Sequence, residues 1–535
     1  MPRNQFGASL LLATAVMAIP AALQAQQPGG GRGGPPPVDS ALYVRTTPPS
    51  NPMIQKFWDE GMNRSQVMTL AQVLLDSIGP RLTNSDRFDA GQQWLVETYA
   101  KWGVPAERQQ YGTWEKWERG ISHIDLIAPR VRSLEGMMLG WSPSTNGPVE
   151  ADVVLLPDLK TPDEFAAWMP SARGKIVLTS PPNPSCRMPA QYEEFGQEGA
   201  AERVQKERAD LAAAWRPRTL LGGNPNEWPK TAGVAAVIST NWSRFPGVNK
   251  IFGTPKQQVP TFDLSCEDYN LVFRLAENGQ GPRLRINGES RSLGEQPVHN
   301  VIATIKGSEK PNEYIIFSAH YDSWDGASGA TDNGTGTLTM LEALRILKTV
   351  YPNPKRTIIV GHWGGEEQGL NGSRSFVEDH PEIVARVHAG FNQDNGTGRI
   401  IAGGPGPFVG GNEAWIRYLR ELPAELTGGF RLSGNSGPAG GGTDHAAFQC
   451  AKSPVYGVNA LGWDYFNTTW HTNRDTYDKV VPEDLKHNAT MIAMLAYMAD
   501  QDPALLSREV ITMQGDREVT YSCPLSTRRT ADYNR

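Results

Sequence analysis

Two short apolar runs, Tyr314-Ile315-Ile316-Phe317 and Thr357-Ile358-Ile359-Val360, have the length and the β-branched or aromatic character of buried strands. Chemistry-bearing side chains follow each within a few residues: His320 and Asp322 after the first, Glu366 and Glu367 after the second. From Val298 onward such runs alternate with helical stretches, which predicts crossover units and a largely parallel sheet. The helix after Asp332 carries an apolar stripe at Leu338, Leu341, Leu344 and Leu347. Residues 387–391 and 455–458 are further strand candidates, leading to Asp394 and to the loop that carries His471. Upstream, helical periodicity runs through Val67, Met68, Leu70, Val73, Leu74 and Leu75, and again through Trp94, Leu95, Tyr99 and Trp102. Between 140 and 293 the pattern changes to short strands at 152–156, 175–179 and 235–238, broken by Pro, Gly and Asn and by a polar helical stretch over 191–215. That change predicts an inserted domain, and with no reactive cluster in it a lid, binding or stabilising role is expected.

The chain ends add to this picture. One positive side chain, Arg3, then an apolar stretch over 10–22 and Leu23-Gln24-Ala25 predict a secretory signal peptide, residues 1–25. The alternative is a membrane anchor, but the apolar stretch is shorter than the ~20 residues a spanning helix requires. Residues 26–52, rich in Gly and Pro, hold too little apolar surface to fold alone and predict a disordered leader. The catalytic domain is then expected in two parts, 53–139 and 294–506, with 507–535 a tail or an edge strand. A length of 535 residues suits two domains with appendages. A formal net charge of -6 gives no reason to expect nucleic acid as a partner. The four cysteines, Cys186, Cys266, Cys450 and Cys523, are too widely spaced for a zinc–thiolate motif. In a secreted or periplasmic protein they permit three pairings, and unpaired thiols fit equally well.

In parallel sheets functional groups collect outside the carboxyl ends of the strands, so the separated clusters are expected to converge. A two-metal hydrolytic site needs several oxygen or imidazole ligands per ion, one shared carboxylate and a separate base. His320 offers an imidazole, and Asp322 is placed to hydrogen-bond its other ring nitrogen. Asp332, at a helix start, is placed to bridge two ions. Glu367 and His471 complete one ion, His320 and Asp394 the other. Glu366 remains as general base, taking a proton from water and returning it to the leaving amine. Taken singly, each has a structural explanation: a satisfied His–Asp pair, a solvated Glu–Glu loop, turns at Asp332-Asn333-Gly334 and Asp394-Asn395-Gly396, and His471 packed beside Trp470. Asp475 and Asp478 read as surface charges. The metal reading draws on their joint occurrence, in chain order, at strand ends. Gly334-Thr335-Gly336 is not a nucleotide loop and Ser373 lacks a nucleophile elbow. The Gly-rich loop through Gly440, Gly441 and Gly442 to Asp444 and His445 is expected to wall the substrate, and His445 reads equally as a group facing a reaction oxyanion or as a plain loop histidine.

His320-Tyr321-Asp322-Ser323-Trp324-Asp325, Ala330-Thr331-Asp332-Asn333-Gly334, Gly365-Glu366-Glu367-Gln368-Gly369, Thr443-Asp444-His445 and His471-Thr472-Asn473-Arg474-Asp475-Thr476 together resemble the co-catalytic zinc exopeptidases of clan MH. The upstream Ile78-Gly79-Pro80-Arg81-Leu82 and Trp117-Glu118-Arg119-Gly120 strengthen the resemblance, which spans about 53–500 and is nearest to the plasma glutamate carboxypeptidase branch. It implies an α/β fold, a mixed and largely parallel sheet sandwiched by helices, with an inserted β-rich protease-associated domain. It also implies two Zn2+ ions, replaceable by Mn2+ or Co2+, held by His320, Asp332, Glu367, Asp394 and His471. Asp332 would bridge, Glu366 would be the base, and the Asp332–Asn333 peptide would be cis. A homodimer is implied on the same ground. Trp470 departs from the pattern, because many relatives have Tyr before the last histidine and indole cannot imitate a phenol. The expectation is a secreted exopeptidase acting on dipeptides or short peptides, with no membrane span once the signal is removed. A glutaminyl cyclase-like single-zinc acyltransferase and a receptor-like binding module without working metals are the alternatives, and the complete ligand set argues against both. The terminus attacked is left open.

Overall fold

The computed structural model describes residues 37–527 except 46, 48, 255 and 256. The expected signal peptide and most of the leader lie outside the described residues. In chain order the strands are β1 (Ala106–Ala128), β2 (Arg132–Ser133), β3 (Gly136–Met138), β4 (Val149–Leu155), β5 (Ile176–Leu178), β6 (Ala236–Ser239) and β7 (Thr261–Leu264). They continue with β8 (Arg283–Ile305), β9 (Lys310–His320), β10 (Arg356–Trp363), β11 (Val387–Gln393), β12 (Ile400–Gly403), β13 (Arg431–Leu432) and β14 (Val455–Ala460). One sheet follows the path β13-β12-β14-β11-β9-β10-β8-β4-β5-β6-β7-β3, with β1 on β8 and β2 on β1.

The sheet is mixed and largely parallel, flanked by helices. β14, β11, β9 and β10 run parallel at its centre. β10 is buried along its whole length, as is β11, and so is β9 from Ile315 onward. Burial on both faces is why these strands read as continuous apolar runs and not as alternations. The helix Thr335–Val350 crosses from β9 to β10, and all four leucines of its stripe are fully buried. It packs against the helix Pro482–Gln501, itself buried over most of its length.

The second part of the sheet comes from β4 to β7, which are parallel to one another, with β3 antiparallel at the edge. β1 and β8, both of 23 residues, form an antiparallel ribbon that joins the two parts. β8 pairs with β10 through Ile302 to Ile305 and with β4 through Leu284 and Ile286. Hydrophobic pattern gave no sign of β1, because four register shifts break its period of two and most of its side chains stay partly exposed. The polar stretch over 191–215 forms two helices, Pro189–Phe195 and Ala200–Leu220, of which only Trp215 is buried.

All four cysteines are paired, Cys186 with Cys266 and Cys450 with Cys523. The second bridge pins the chain terminus to the helix His445–Cys450. Beyond residue 507, among the described residues, there is a small hairpin of its own, Met513–Gln514 against Arg517–Glu518, and no strand added to the main sheet. Among the described residues no helix is long and apolar enough to cross a membrane.

Candidate metal centre

The carboxyl ends of the four central parallel strands put the sequence-predicted residues in one place. His320 is the last residue of β9, Asp394 follows β11 directly, Glu366 and Glu367 lie just past β10, and His471 lies beyond β14. His320 Nε2 is 3.0 Å from Asp394 Oδ1 and 3.3 Å from Asp332 Oδ1. His471 Nε2 is 2.9 Å from Glu367 Oε2 and 3.1 Å from Asp332 Oδ2. His320, Asp332 and Asp394 therefore make one triad and Asp332, Glu367 and His471 a second, and Asp332 offers a different oxygen to each.

Local geometry holds Asp332 in place. Its peptide bond to Asn333 is cis. Asn333 Nδ2 donates to Gln393 O at 2.8 Å, and its Oδ1 accepts from Gly336 N at 3.1 Å, which ties the start of the helix to the end of β11. The Asp332 main-chain N–H donates to Asp475 Oδ2 at 3.0 Å and that of Thr331 to Asp475 Oδ1 at 2.7 Å. Asp475 is thus a buried anchor beneath Asp332, not a surface charge, and burial raises its pKa to about 7. Arg81, fully buried, donates to the carbonyls of Gly79, Tyr321, Ser328 and Gly329 and so knits the same loop to the first helical layer. Gly329 has φ +58°, and a Cβ there would lie 2.2 Å from Ser323 Cβ, so no other residue fits.

Asp322 stands beside His320 with a division of labour. His320 Nδ1 is 3.0 Å from the Asp322 main-chain carbonyl but 3.7 Å from its carboxylate. The carboxylate instead accepts from the main-chain N–H of Glu366 at 3.1 Å, of Glu367 at 3.3 Å, and from Thr83 Oγ1 at 3.0 Å. It orients the loop that carries Glu366 and Glu367, while the carbonyl fixes the imidazole. Among the described residues the Glu366 carboxylate has no hydrogen-bond or ion-pair partner, which leaves it free for a ligand.

Electrostatics agree with a cation site. Burial opposes a charged His320, yet Asp394 and Glu366 outweigh it and raise its pKa well above the histidine range. His471 is pushed up to about 9 in spite of burial, chiefly by Glu367 and Asp332. Burial alone would raise Asp332, but its bonds to the two histidines lower it instead. Burial raises Glu366 strongly and Glu367 to about 7, with neighbouring carboxylates adding to the effect. Four carboxylates this close repel one another, and a positive charge between them relieves it. Glu367 Oε1 is buried without a hydrogen-bond donor among the described residues, an oxygen left for something other than protein. Two imidazoles and three carboxylates form the mixed nitrogen and oxygen donor set that suits zinc and neighbouring divalent ions.

Several residues were not found by sequence reasoning. The segment Asn249 to Ile251, from the inserted region, runs against the His471 loop: Ile251 N donates to His471 O at 2.7 Å and Asn473 N to Asn249 O at 3.1 Å. Lys250 Nζ donates to Trp470 O at 2.7 Å and lies 4.0 Å above the Trp470 ring. Burial lowers Lys250 to about 8. Trp470 in turn stacks on the His471 ring at 4.0 Å, and His471 sits at φ +53°. Asp444 is fully buried and raised by burial to about 7, close enough to sense His320, Asp394 and Asp322. His445 is not on a flexible loop: it opens the helix His445–Cys450, and burial lowers it to about 4. Tyr465 is buried with its phenol acted on by Asp332, Asp394 and Glu367. Only proximity in the fold reveals the Asn249–Ile251 segment and Tyr465, whereas Arg81, Asp444, His445 and Trp470 stand in motifs legible in the sequence.

Residues 300–496 match the profile of Peptidase family M28. Carboxypeptidase Q of Mus musculus is 26% identical over 446 residues, covering 81% of this chain and 85% of that protein. Aminopeptidase NAALADL1 of Mus musculus is 31% identical over 255 residues, 41% of this chain and 33% of that protein. Among solved structures, a Peptidase M28 precursor from Shewanella amazonensis superposes with a TM-score of 0.60 at 22% identity, covering 85% of this chain and 98% of that one. A zinc aminopeptidase from Bacillus subtilis superposes with a TM-score of 0.52 at 20% identity, covering 81% and 93%. The structural likeness is one of fold.

Proposed function

The chain belongs to peptidase family M28 and is a metallopeptidase, and from that premise we propose that it is an exported dizinc exopeptidase that hydrolyses the terminal bond of dipeptides or short peptides. The observation that carries the proposal is the shared carboxylate, with Asp332 Oδ1 turned to His320 and Oδ2 to His471. In this reading His320, Asp332 and Asp394 hold one zinc ion and Asp332, Glu367 and His471 the other. Bound there, the ions supply Lewis acidity, polarising the scissile carbonyl and acidifying the attacking water.

The chain's own residues do the rest. Glu366, held at its main-chain N–H by Asp322, takes the proton from the attacking water and delivers it to the nitrogen of the leaving amine. Asp475 fixes the two peptide N–H groups at Thr331 and Asp332, so the bridging carboxylate keeps its aim as charge develops. Export is supported by the N-terminal apolar segment and by two disulfides, which persist in oxidising compartments. The β-rich segment over 140–293 serves as a protease-associated-like domain that braces the His471 loop.

Glu366→Gln tests the assignment of the base. The variant keeps its zinc content by elemental analysis, while kcat for a free dipeptide falls by about 10²- to 10⁴-fold. Full activity in that variant removes Glu366 from the mechanism.

A further inference from the structure

The loop that carries Glu366 and Glu367 closes on itself. Gly369 N and Leu370 N donate to Glu366 O at 2.8 and 2.9 Å, Asn371 N to Gly365 O at 2.9 Å, and Gly372 N to Gly364 O at 2.8 Å. On one side the Asp322 carboxylate holds the loop through the N–H groups of Glu366 and Glu367. On the other side stands Asn371, buried at the head of the helix Asn371–Asp379. Its carboxamide uses both ends. Nδ2 donates into the loop, to Gln368 O at 3.1 Å, while Oδ1 accepts from outside it. An amide joins its donor and its acceptor through one rigid plane, so whatever holds the oxygen also aims the nitrogen.

What holds the oxygen is the far end of the chain. Thr527 N and Thr527 Oγ1 both donate to Asn371 Oδ1 at 2.9 Å, and Ser526 Oγ donates to Asn371 O at 3.2 Å. Ser375 Oγ donates to Ser526 Oγ at 2.9 Å, and Ser526 N to Glu378 Oε1 at 2.8 Å. Positions 371, 375 and 378 share one face of the helix, so two tail residues grip that face along its length. The tail is itself fastened. Cys523, three residues before Ser526, is bonded to Cys450 at the end of the helix that follows Asp444. Three residues span at most about 10 Å, so the bridge keeps the two donor residues close to Asn371 and their effective concentration high. An unbroken path of hydrogen bonds thus runs from Thr527 through the Asn371 amide to the turn that holds Glu366 and Glu367.

We propose that Asn371 is a positioning residue for the Glu366–Glu367 loop, and that the C-terminal segment, tethered by the Cys450–Cys523 disulfide, is the clamp that sets it. The inference rests on the proposed exopeptidase reading for what the loop does and adds how its geometry is kept. Asn371 acts through the loop's main chain. A base that wanders from its place costs turnover more than it costs substrate binding, so full kcat requires the tail to be docked.

Two measurements on the full chain test it. Ser526→Ala combined with Thr527→Pro removes both hydroxyls and the Thr527 N–H while leaving Asn371 and the disulfide in place. Amide hydrogen exchange of the metal-free protein, read by mass spectrometry, then speeds up over 364–372 by about five- to thirtyfold, and the segment 327–336 around Asp332 keeps its wild-type rate. Asn371→Ala gives the same pattern. Asn371→Asp, which keeps the acceptor for the tail and loses the donor to Gln368 O, gives part of it. Cys450→Ser combined with Cys523→Ser frees the tail with its donors intact; it gives a smaller acceleration and is the second probe if the first variant does not fold. With zinc-loaded protein, the Ser526 and Thr527 substitutions lower kcat for a free dipeptide by about tenfold or more and change KM by less than about twofold. Unchanged exchange over 364–372 in both variants, or equal acceleration in both segments, overturns the proposal. Faster exchange with kcat unchanged overturns the positioning role while leaving the peptidase standing. If no peptide is cleaved by the wild-type chain but exchange still follows the tail, the clamp stands and the peptidase reading falls.

Discussion

Asp322 shows how one buried residue serves two parts of a site through different atoms. Its carbonyl faces His320 Nδ1, and its carboxylate collects the N–H groups of Glu366 and Glu367. Replacing it by Ala leaves the carbonyl contact and strips two N–H groups of their acceptor, at a cost of about 1–3 kcal/mol for each group left buried. We expect Asp322→Ala to lower both kcat and zinc affinity, because the loop carrying base and ligand loses its hold. Equilibrium zinc competition alongside steady-state kinetics checks this, and a variant that binds zinc normally and turns over normally refutes the role. The grouping of His320, Asp332, Glu367, Asp394 and His471 was legible because His320, Glu367 and Asp394 closely follow apolar runs with the character of buried strands, while the motifs around Asp332 and His471 placed the other two. Asp475 was not legible as an anchor. Its sequence neighbours are polar, and its burial comes from the loop at Thr331 and Asp332, 144 and 143 positions away.

At the scale of elements, the central strands and the crossover helix announce themselves by continuous apolar runs and a leucine stripe, whereas the β1–β8 ribbon does not. The change of pattern at 140–293 marks where the chain turns to β4–β7, but no sequence signal links Asn249 to Ile251 with the loop of His471. That contact is made by main-chain bonds, which any side chains can form, and by Lys250 with its ammonium on Trp470 O and over the indole ring. The segment is a strap across the loop of His471, which sits at positive φ, a conformation that needs support from its surroundings. Lys250→Met keeps the bulk and removes the donor and the charge. We predict that it weakens one zinc equivalent by about tenfold or more and leaves the other unchanged, with partial recovery in Lys250→Arg. Competition titration with a zinc chelator resolves the two equivalents, and equal loss at both sites, or at neither, contradicts the strap's role.

At the scale of the whole molecule, a mixed sheet delivers the candidate ligands from three parallel strands and the loops beyond them to one edge, and two disulfides brace the periphery. The fold class was legible because alternating strands and helices leave few arrangements of a parallel sheet. Cysteine pairing was not, since spacing alone permits every combination and only the folded distances decide. The central claim is that Asp332 stands between two zinc ions. Anomalous diffraction at the zinc absorption edge, from crystals of the zinc-loaded enzyme, tests it most directly. The account predicts two peaks about 3.5–4 Å apart, one beside His320 and Asp394, the other beside Glu367 and His471, with one Asp332 oxygen facing each. A single peak, or zinc bound away from Asp332, would contradict it.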